Sequence, residues 1–448
     1  MLSGRPFNAT GAALNIVFIT HYFPPLNSSG ARRINAFAKY LSGWGHQVTV
    51  ITTKKSGRDG LLTEAVPNYL RLLEINNLGQ ISSSVIPQQA VVRGELGVET
   101  RSWLGRVLLK IKRAVMKVFG QLVDHRLLFA LQFTSPVLAT EVKDVLREAD
   151  VVMSSCPPWP THLAGWVAKK RFKKCWVADF RDQFSGNHIL RGSVVSRPVE
   201  VFLERWLLRL ADCVTVISAP MKDYYEQFHS DVLCIENGYD ENVFEEASLA
   251  LGTIHDSLDE GELVIRYMGS ITVDRIPKVF FQAIAQLNSL SGRRLIVEFY
   301  GESTLLRNAL YDVAPDVVSY VRFHPQLSYI KAIQAMLTAD ALFFVETSDS
   351  SSHSARGVLT TKLFEYLAAQ KPIIAELSPE SLAAQYIEQS GLGMVVSTQL
   401  TEMLRGLTSL REGNFTPNVN EEFIKSLSRR VKARELEHLL NRLIMPLA

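Results

Sequence analysis

Two rhythms of hydrophobic positions alternate along this chain. Short continuous apolar runs read as buried strands: LNIVFIT from Leu14 to Thr20, HQVTVIT from His46 to Thr52, ADVVMSS before Cys156, and a run within Lys173 to Phe184. Between the first two, Gly30 to Trp44 places Ile34, Phe37, Ala38 and Leu41 on one helical face, which makes a strand–helix–strand unit. A helix from about Val199 to Ala211 and the strands ADCVTVIS and VLCIENG complete a first series. Residues 241–261 are acidic, polar and aperiodic, and the pattern predicts a linker there.

A second series opens with LVIRYMGSI, Leu263 to Ile271. It continues through a helix from Pro277 to Leu290, the strand LIVEFYGES, a helix from Leu305 to Val313, the strand SYVRFHP, a helix from Ser328 to Leu337 and the strand ALFFVE. After a run of small polar residues, a helix from about Thr360 turns Leu363, Leu367 and Ala368 inward, and the strand Pro372 to Ala375, a helix near Pro379 to Gln389 and the strand GMVVS follow. Regular alternation of this kind implies parallel, doubly wound α/β sheets, here two Rossmann-like domains. The expected division is a loose tail over 1–13, domains over 14–240 and 262–419, and a terminal segment over 420–448. In the last, Asn420 to Ile444 carries Phe423, Leu427, Val431, Leu436, Leu439 and Leu440 as one helix that packs back on the first domain.

Composition narrows the function classes. With 448 residues, 47% hydrophobic and 21% charged, the chain has enough apolar material for two cores. A net charge of +3 without an aromatic-interleaved basic run argues against nucleic acid as a partner. Cys156, Cys175, Cys213 and Cys234 have neither zinc-site spacing nor the density of a secreted framework, which fits a reducing cytoplasm. No apolar run approaches the roughly 18 residues of a membrane span. Arg101 to Val123 nevertheless combines an apolar stripe (Leu104, Val107, Leu108, Ile111, Val115, Val118, Phe119, Leu122) with a basic one (Arg106, Lys110, Arg113, Lys117) and contains no acid. A helix packed on its own domain with a solvated basic edge fits this pattern, and so does one lying on an anionic membrane.

Candidate chemistry gathers at strand-to-helix junctions, where open α/β sheets bind ligands. Thr360 and Thr361 open a helix whose N–H groups and dipole favour an anion, and Lys362 adds a positive charge where the dipole alone favours a negative one. Together these point to a phosphate partner. Glu365 stands among apolar neighbours of that helix, as an edge residue or a ligand contact. Ser28, Ser29 and Gly30 form another helix start, with Arg32 and Arg33 beside it, and Asp179, Arg181 and Asp182 follow a buried strand as a salt-bridged turn or a site. The loop HYFPPLNSSGARR lacks the G-x-G-x-x-G dinucleotide fingerprint.

The phrase KLFEYLAAQKPII resembles the donor segment of GT-B glycosyltransferases of the large retaining family four. Gly45, His46, Val48 and Val50, the Ser154-Ser155-Cys156-Pro157-Pro158 and Ala178-Asp179-Phe180-Arg181-Asp182 segments, and Asn237-Gly238-Tyr239-Asp240 are similar to that family in order and spacing, from about residue 14 to about 440. The resemblance implies two domains facing across a cleft and a hexosyltransferase that moves a sugar from a UDP- or GDP-sugar with retention. It needs neither metal nor cofactor, and its acceptor is a saccharide or a polyprenyl-diphosphate-linked saccharide of bacterial surface-polysaccharide synthesis. It also implies residue roles. Glu365 holds the ribose; Arg275 and Lys362 hold the diphosphate and act in catalysis; Gly30, Gly269, Ser270, Gly357, Thr360, Thr361 and Leu363 line the donor. Arg32, Arg33, Asp179, Arg181 and Asp182 lie on the acceptor side, and Pro325 to Leu327 are candidates for base contact. A lipid-linked acceptor would keep the protein peripheral to the inner face of the cell membrane.

Four positions depart from the family, among them Arg275, which stands where the family has a lysine. Gly357 stands where the family often has a sugar-contacting glutamate, Ser270 where it has an arginine, and Gln370 where it has glycine. A sugar-nucleotide epimerase and a catalytically silent GT-B scaffold are the alternative readings.

Overall fold

The computed structural model describes residues 13–57, 59–75, 119, 122, 124, 126–135, 138–187, 193, 196–251, 261–271, 275–313, 315–346, 357 and 359–444. They divide into two compact units, one built from the chain up to Ile217, Lys222–Cys234 and the chain from Glu437 on, the other from Ser218–Met221 and Ile235–Leu436.

The first unit holds β1 (Asn15–Ile19), β2 (Gln47–Thr53), β3 (Arg71–Ile75), β4 (Val151–Cys156), β5 (Cys175–Phe180), β6 (Cys213–Val216) and β7 (Val232–Cys234). They form a sheet in the order β3-β2-β1-β4-β5-β6-β7 whose paired neighbours are all parallel. β4 is buried along its whole length, because parallel strands covered on both faces must be apolar throughout rather than alternating. Helix α1 (Ser29–Gly43) crosses from β1 to β2. Its cap Ser28 accepts the Ala31 N–H, and Ile34, Phe37, Ala38 and Leu41 are buried as the periodicity predicts.

The second unit holds β8 (Glu262–Met268), β9 (Arg294–Tyr300), β10 (Val321–His324), β11 (Ala341–Val345), β12 (Ile373–Glu376) and β13 (Gly393–Val396), parallel in the order β10-β9-β8-β11-β12-β13. In each sheet the strand order reverses beside one pair, β1/β4 and β8/β11, and those reversals open the crevice in which such sheets bind ligands. Helix α2 (Thr361–Ala369) follows β11 and buries Leu363, Phe364, Tyr366 and Leu367.

Two expectations need correction. Residues 241–251 are not linker but helix α3 (Glu241–Leu251). Asp240 accepts the Asn242 N–H at its start, Phe244 packs edge-on to Tyr239, and Ala247 is fully buried, so two apolar anchors outweigh the acidic composition. The terminal segment is two helices, α4 (Glu421–Ser426) and α5 (Arg429–Ile444). The step between them pairs with the loop Asn237 to Asp240: Tyr239 donates its N–H to Leu427 O, and Arg429 donates to Tyr239 O at 2.9 Å. Gly238 permits this approach, since a Cβ there would lie 2.4 Å from Leu427 O. From Glu437 on, α5 belongs to the first unit, where Glu437 meets His46 at 3.1 Å and Arg442 meets Asp231 at 2.9 Å. The basic stretch Arg101 to Val123 lies almost entirely outside the described residues.

Candidate active site

In the second unit the ends of β8 and β11 stand side by side, with Ala341 opposite Ile265 and Leu342 opposite Arg266. β8 ends in Gly269, whose φ of +110° lies in the region that disfavours side chains, and Gly301 at the end of β9 has φ +138° and would place a Cβ 2.9 Å from Gly269 O. Two glycines at adjacent strand ends thus leave bare backbone over the crevice. A Cβ on Gly269 would reach within 3.7 Å of Lys362 Cε, so the lysine stem runs directly beside that bare backbone.

Four charged side chains converge here. Glu346, the residue after β11, takes Arg275 Nη2 at 2.9 Å on one carboxylate oxygen and the Thr360 hydroxyl at 3.0 Å on the other. Thr360 is the cap residue of α2, but its side chain makes no capping bond to its own helix. Lys362 sets its ammonium over the Tyr267 ring, 3.8 Å from the centroid. Desolvation pulls the lysine down to about 7, with the Arg275 charge pushing the same way and Glu346 and Glu365 pulling it back up. Glu365, one turn along α2, is 6% exposed, and its Oε1 is buried without a hydrogen-bond partner among the described residues. An unsatisfied buried carboxylate oxygen costs about 1–3 kcal/mol. Tyr366, next in line, is buried and accepts the Met268 N–H, which ties α2 to the end of β8.

These contacts sort the donor residues named from sequence. Gly269, Arg275, Thr360, Lys362 and Glu365 share one crevice, with Ser270 following Gly269 and Thr361 following Thr360. The Leu363 side chain does not join them: it is fully buried in the core and offers a ligand only backbone. Gly357 stands against Pro220, where a Cβ would come within 2.8 Å of the proline Cβ, so a longer side chain would require a shift. Gln370 replaces the family glycine in the left-handed cap of α2, at φ 53°. Pro325 and Gln326 are exposed beyond the stacked pair Tyr300 and His324. Glu346 was missed by sequence reasoning. Its only sequence signal is a charged residue immediately after the fully apolar strand ALFFV.

The first-unit residues form a different kind of cluster. Asp179 is wholly buried, and accepts Arg33 Nη2 at 2.9 Å, the Ser155 hydroxyl at 2.8 Å and the Thr215 hydroxyl at 2.9 Å. Burial opposes ionisation, but Arg33 and the two hydroxyls outweigh it and hold this carboxyl below its usual range. Arg33 and Asp179 therefore neutralise each other across α1 and β5, a pairing between two elements and not within the Asp179 to Asp182 turn. Arg181 lies over the Tyr22 ring at 4.9 Å, donates to Pro157 O and covers Gly30, where a Cβ would sit 1.7 Å from Arg181 Nη1. Gly30 thus makes room for a side chain of its own unit. Arg32 is partly exposed and donates to Asn27 Oδ1 at 2.7 Å, and Asp182 is exposed. Among the described residues no His/Cys/Asp/Glu group is placed to hold a metal ion, and no helix is long and apolar enough to cross a membrane.

This architecture recurs in solved structures. A glycosyltransferase from Rickettsia africae ESF-5 matches with a TM-score of 0.61 at 14% identity, over 96% of this chain and 99% of that one. The Anabaena protein HepE in complex with UDP matches at 0.61 and 13% identity, over 95% and 99%. Sucrose-phosphate synthase from Thermosynechococcus elongatus matches at 0.62 and 14%, over 96% and 98%. The fold is that of the GT-B glycosyltransferases. Residues 29–232, nearly all in the first unit, match the family described as glycosyl transferase 4-like domain. No curated protein sequence matches the chain.

Proposed function

We propose that the chain is a retaining, metal-independent hexosyltransferase using a UDP- or GDP-sugar. The observation that carries this reading is the crevice between β8 and β11: bare glycine backbone, two cations, an uncapped helix start and a buried carboxylate oxygen that still needs a donor. Arg275, Lys362 and the first N–H groups of α2 bind the diphosphate, and Glu365 accepts the ribose hydroxyls. The anomeric C–O bond to phosphate breaks as the bond to the acceptor hydroxyl forms, and the acceptor proton leaves with the diphosphate. Negative charge growing on the leaving group is stabilised by the two cations, the role a metal ion plays in other transferases. HepE has been solved with UDP and with UDP-glucose, which supports a uridine nucleotide as the first donor to test.

The acceptor reading is a saccharide or polyprenyl-diphosphate-linked saccharide of a bacterial surface polysaccharide, met at the inner face of the cell membrane. One surface of the first unit supports membrane contact. On the helix Ser196–Leu208 and its last turn, Arg197, Arg205 and Arg209 flank a shallow groove of about 700 Å³ beside Phe202 and Trp206. Phe202 is 69% exposed, whereas Glu200 and Glu204 on the same helix are turned inward. Aromatic and arginine side chains with the acids withdrawn suit an anionic bilayer.

A panel of nucleotide sugars, read by thermal shift and nucleotide release, tests the enzymatic reading. Binding with slow release of nucleoside diphosphate supports a transferase, binding without release leaves a silent scaffold, and no binding refutes the donor site. Co-sedimentation with anionic liposomes, lost in Phe202→Asp, tests the membrane reading; equal sedimentation of both proteins would refute it.

A further inference from the structure

The crevice carries a charge that the diphosphate reading does not use. Glu346 is 6% exposed, holds Arg275 and the α2 cap residue Thr360 at 2.9 and 3.0 Å, and exerts the strongest pull among the charges acting on Lys362. A carboxylate in an anion site would ordinarily oppose the ligand. Here it joins the three elements that must be aligned for one: the segment after β8 through Arg275, the end of β11 through its own backbone, and the start of α2 through Thr360.

We infer that Glu346 is a positioning residue of the donor site, fixing the Arg275 guanidinium against α2 and placing a fixed negative charge in the crevice that Lys362 shares. The inference rests on the proposed donor-diphosphate reading. Its physical basis is that a lysine drawn out of water prefers to be neutral unless a carboxylate stands close by. Among the described residues, the groups acting on the Lys362 ammonium are the Tyr267 ring from β8, Arg275 from the segment after it, Glu346 from the end of β11 and Glu365 from α2 itself. Of these, Tyr267 and Glu365 stay in place in a Glu346 variant. Glu346 bonds both Arg275 and the helix start. A bound diphosphate can share Arg275 with it, because a guanidinium presents five N–H donors.

The test compares wild type with Glu346→Gln and Glu346→Asp. UDP, GDP and inorganic pyrophosphate are titrated by calorimetry between about pH 6 and pH 9. In parallel, pH-dependent trace acetylation with mass spectrometry follows the protonation of Lys362 without any ligand. The expected result for Glu346→Gln is a Lys362 midpoint lowered by about one pH unit or more, the size of a strong neighbouring-charge effect. Diphosphate binding should weaken about tenfold at pH 8 and less at pH 6, and Glu346→Asp should recover part of both. A purely structural role would lower affinity equally at every pH and leave the Lys362 midpoint in place. That outcome overturns the inference, as does tighter binding by Glu346→Gln at pH 8. If wild type binds none of the three probes, the donor-site reading fails, while the acetylation midpoints still decide whether Glu346 holds the lysine charge. If Glu346→Gln does not fold, Glu346→Asp carries the same comparison, because its shorter reach must loosen Arg275 and shift the same midpoint in the same direction.

Discussion

Replacing Glu365 by alanine should separate binding from stability. In the unliganded protein the carboxylate has one buried oxygen without a partner, which costs about 1–3 kcal/mol. Alanine removes that cost, but also removes side-chain packing worth about 0.8 kcal/mol per buried methylene. The two effects have opposite signs and similar size, so the stability of the second unit should change by less than about 1 kcal/mol. The ligand sees only a loss. Ribose hydroxyls that bonded a charged acceptor are left without it, at about 1–3 kcal/mol, or roughly five- to 150-fold in affinity. Titration calorimetry with the nucleotide found in the donor screen, together with a denaturation curve for each protein, measures both. A variant that binds as wild type does and is destabilised by several kcal/mol would show that Glu365 is a packing residue and not a ribose contact.

Three further outcomes follow from the same geometry. Arg275→Ala and Lys362→Ala should lower kcat and kcat/KM together, because their contacts strengthen as charge moves onto the diphosphate; a change confined to KM contradicts this. For Lys362 the pH signs are opposed. Its value falls from 10.5 to about 7 on folding, so between those pH values the unfolded chain binds more protons and stability of the unliganded protein should rise with pH, while affinity for the diphosphate should fall. Lys362→Met should flatten both curves, as followed by denaturation and calorimetry across that range. Asp179→Asn should destabilise the first unit by about 3–5 kcal/mol by leaving Arg33 buried without its counter-charge, which denaturant unfolding would detect.

The fold was legible because its signal is long-range and redundant. The apolar runs at β1, β4, β8 and β11 are too short and too continuous for helices, and the intervening stripes at Ile34 to Leu41 and Leu363 to Leu367 have helical spacing. What was not legible depended on single contacts. Composition marked residues 241–251 as linker, but a local cap at Asp240 and the burial of Ala247 make a helix, and neither registers in a window average. The apolar stripe from Phe423 to Leu440 predicted one helix and could not reveal the backbone pairing with Tyr239 that divides it. At the candidate site, Lys362 and Glu365 stood out as charges among apolar neighbours. Glu346 did not, because its meaning comes from Arg275 and Thr360, which are 71 and 14 positions away along the chain. Asp179 drew attention as a charge at the end of a buried strand, and Glu365 as a charge among the apolar neighbours of a helix. The contacts separate the two: Asp179 has three partners, whereas Glu365 has an oxygen with none.

The most direct test of the donor site is a thermal-shift screen of wild type and Glu365→Ala against UDP, GDP and their common sugar conjugates. A ligand at a hundred times its Kd stabilises the protein that binds it by about 2.7 kcal/mol. Wild type should show a clear rise in Tm with at least one uridine or guanosine nucleotide, and the variant a much smaller rise at the same concentration. No rise with any nucleotide at millimolar concentration, or an equal rise in both proteins, would contradict the donor-site reading.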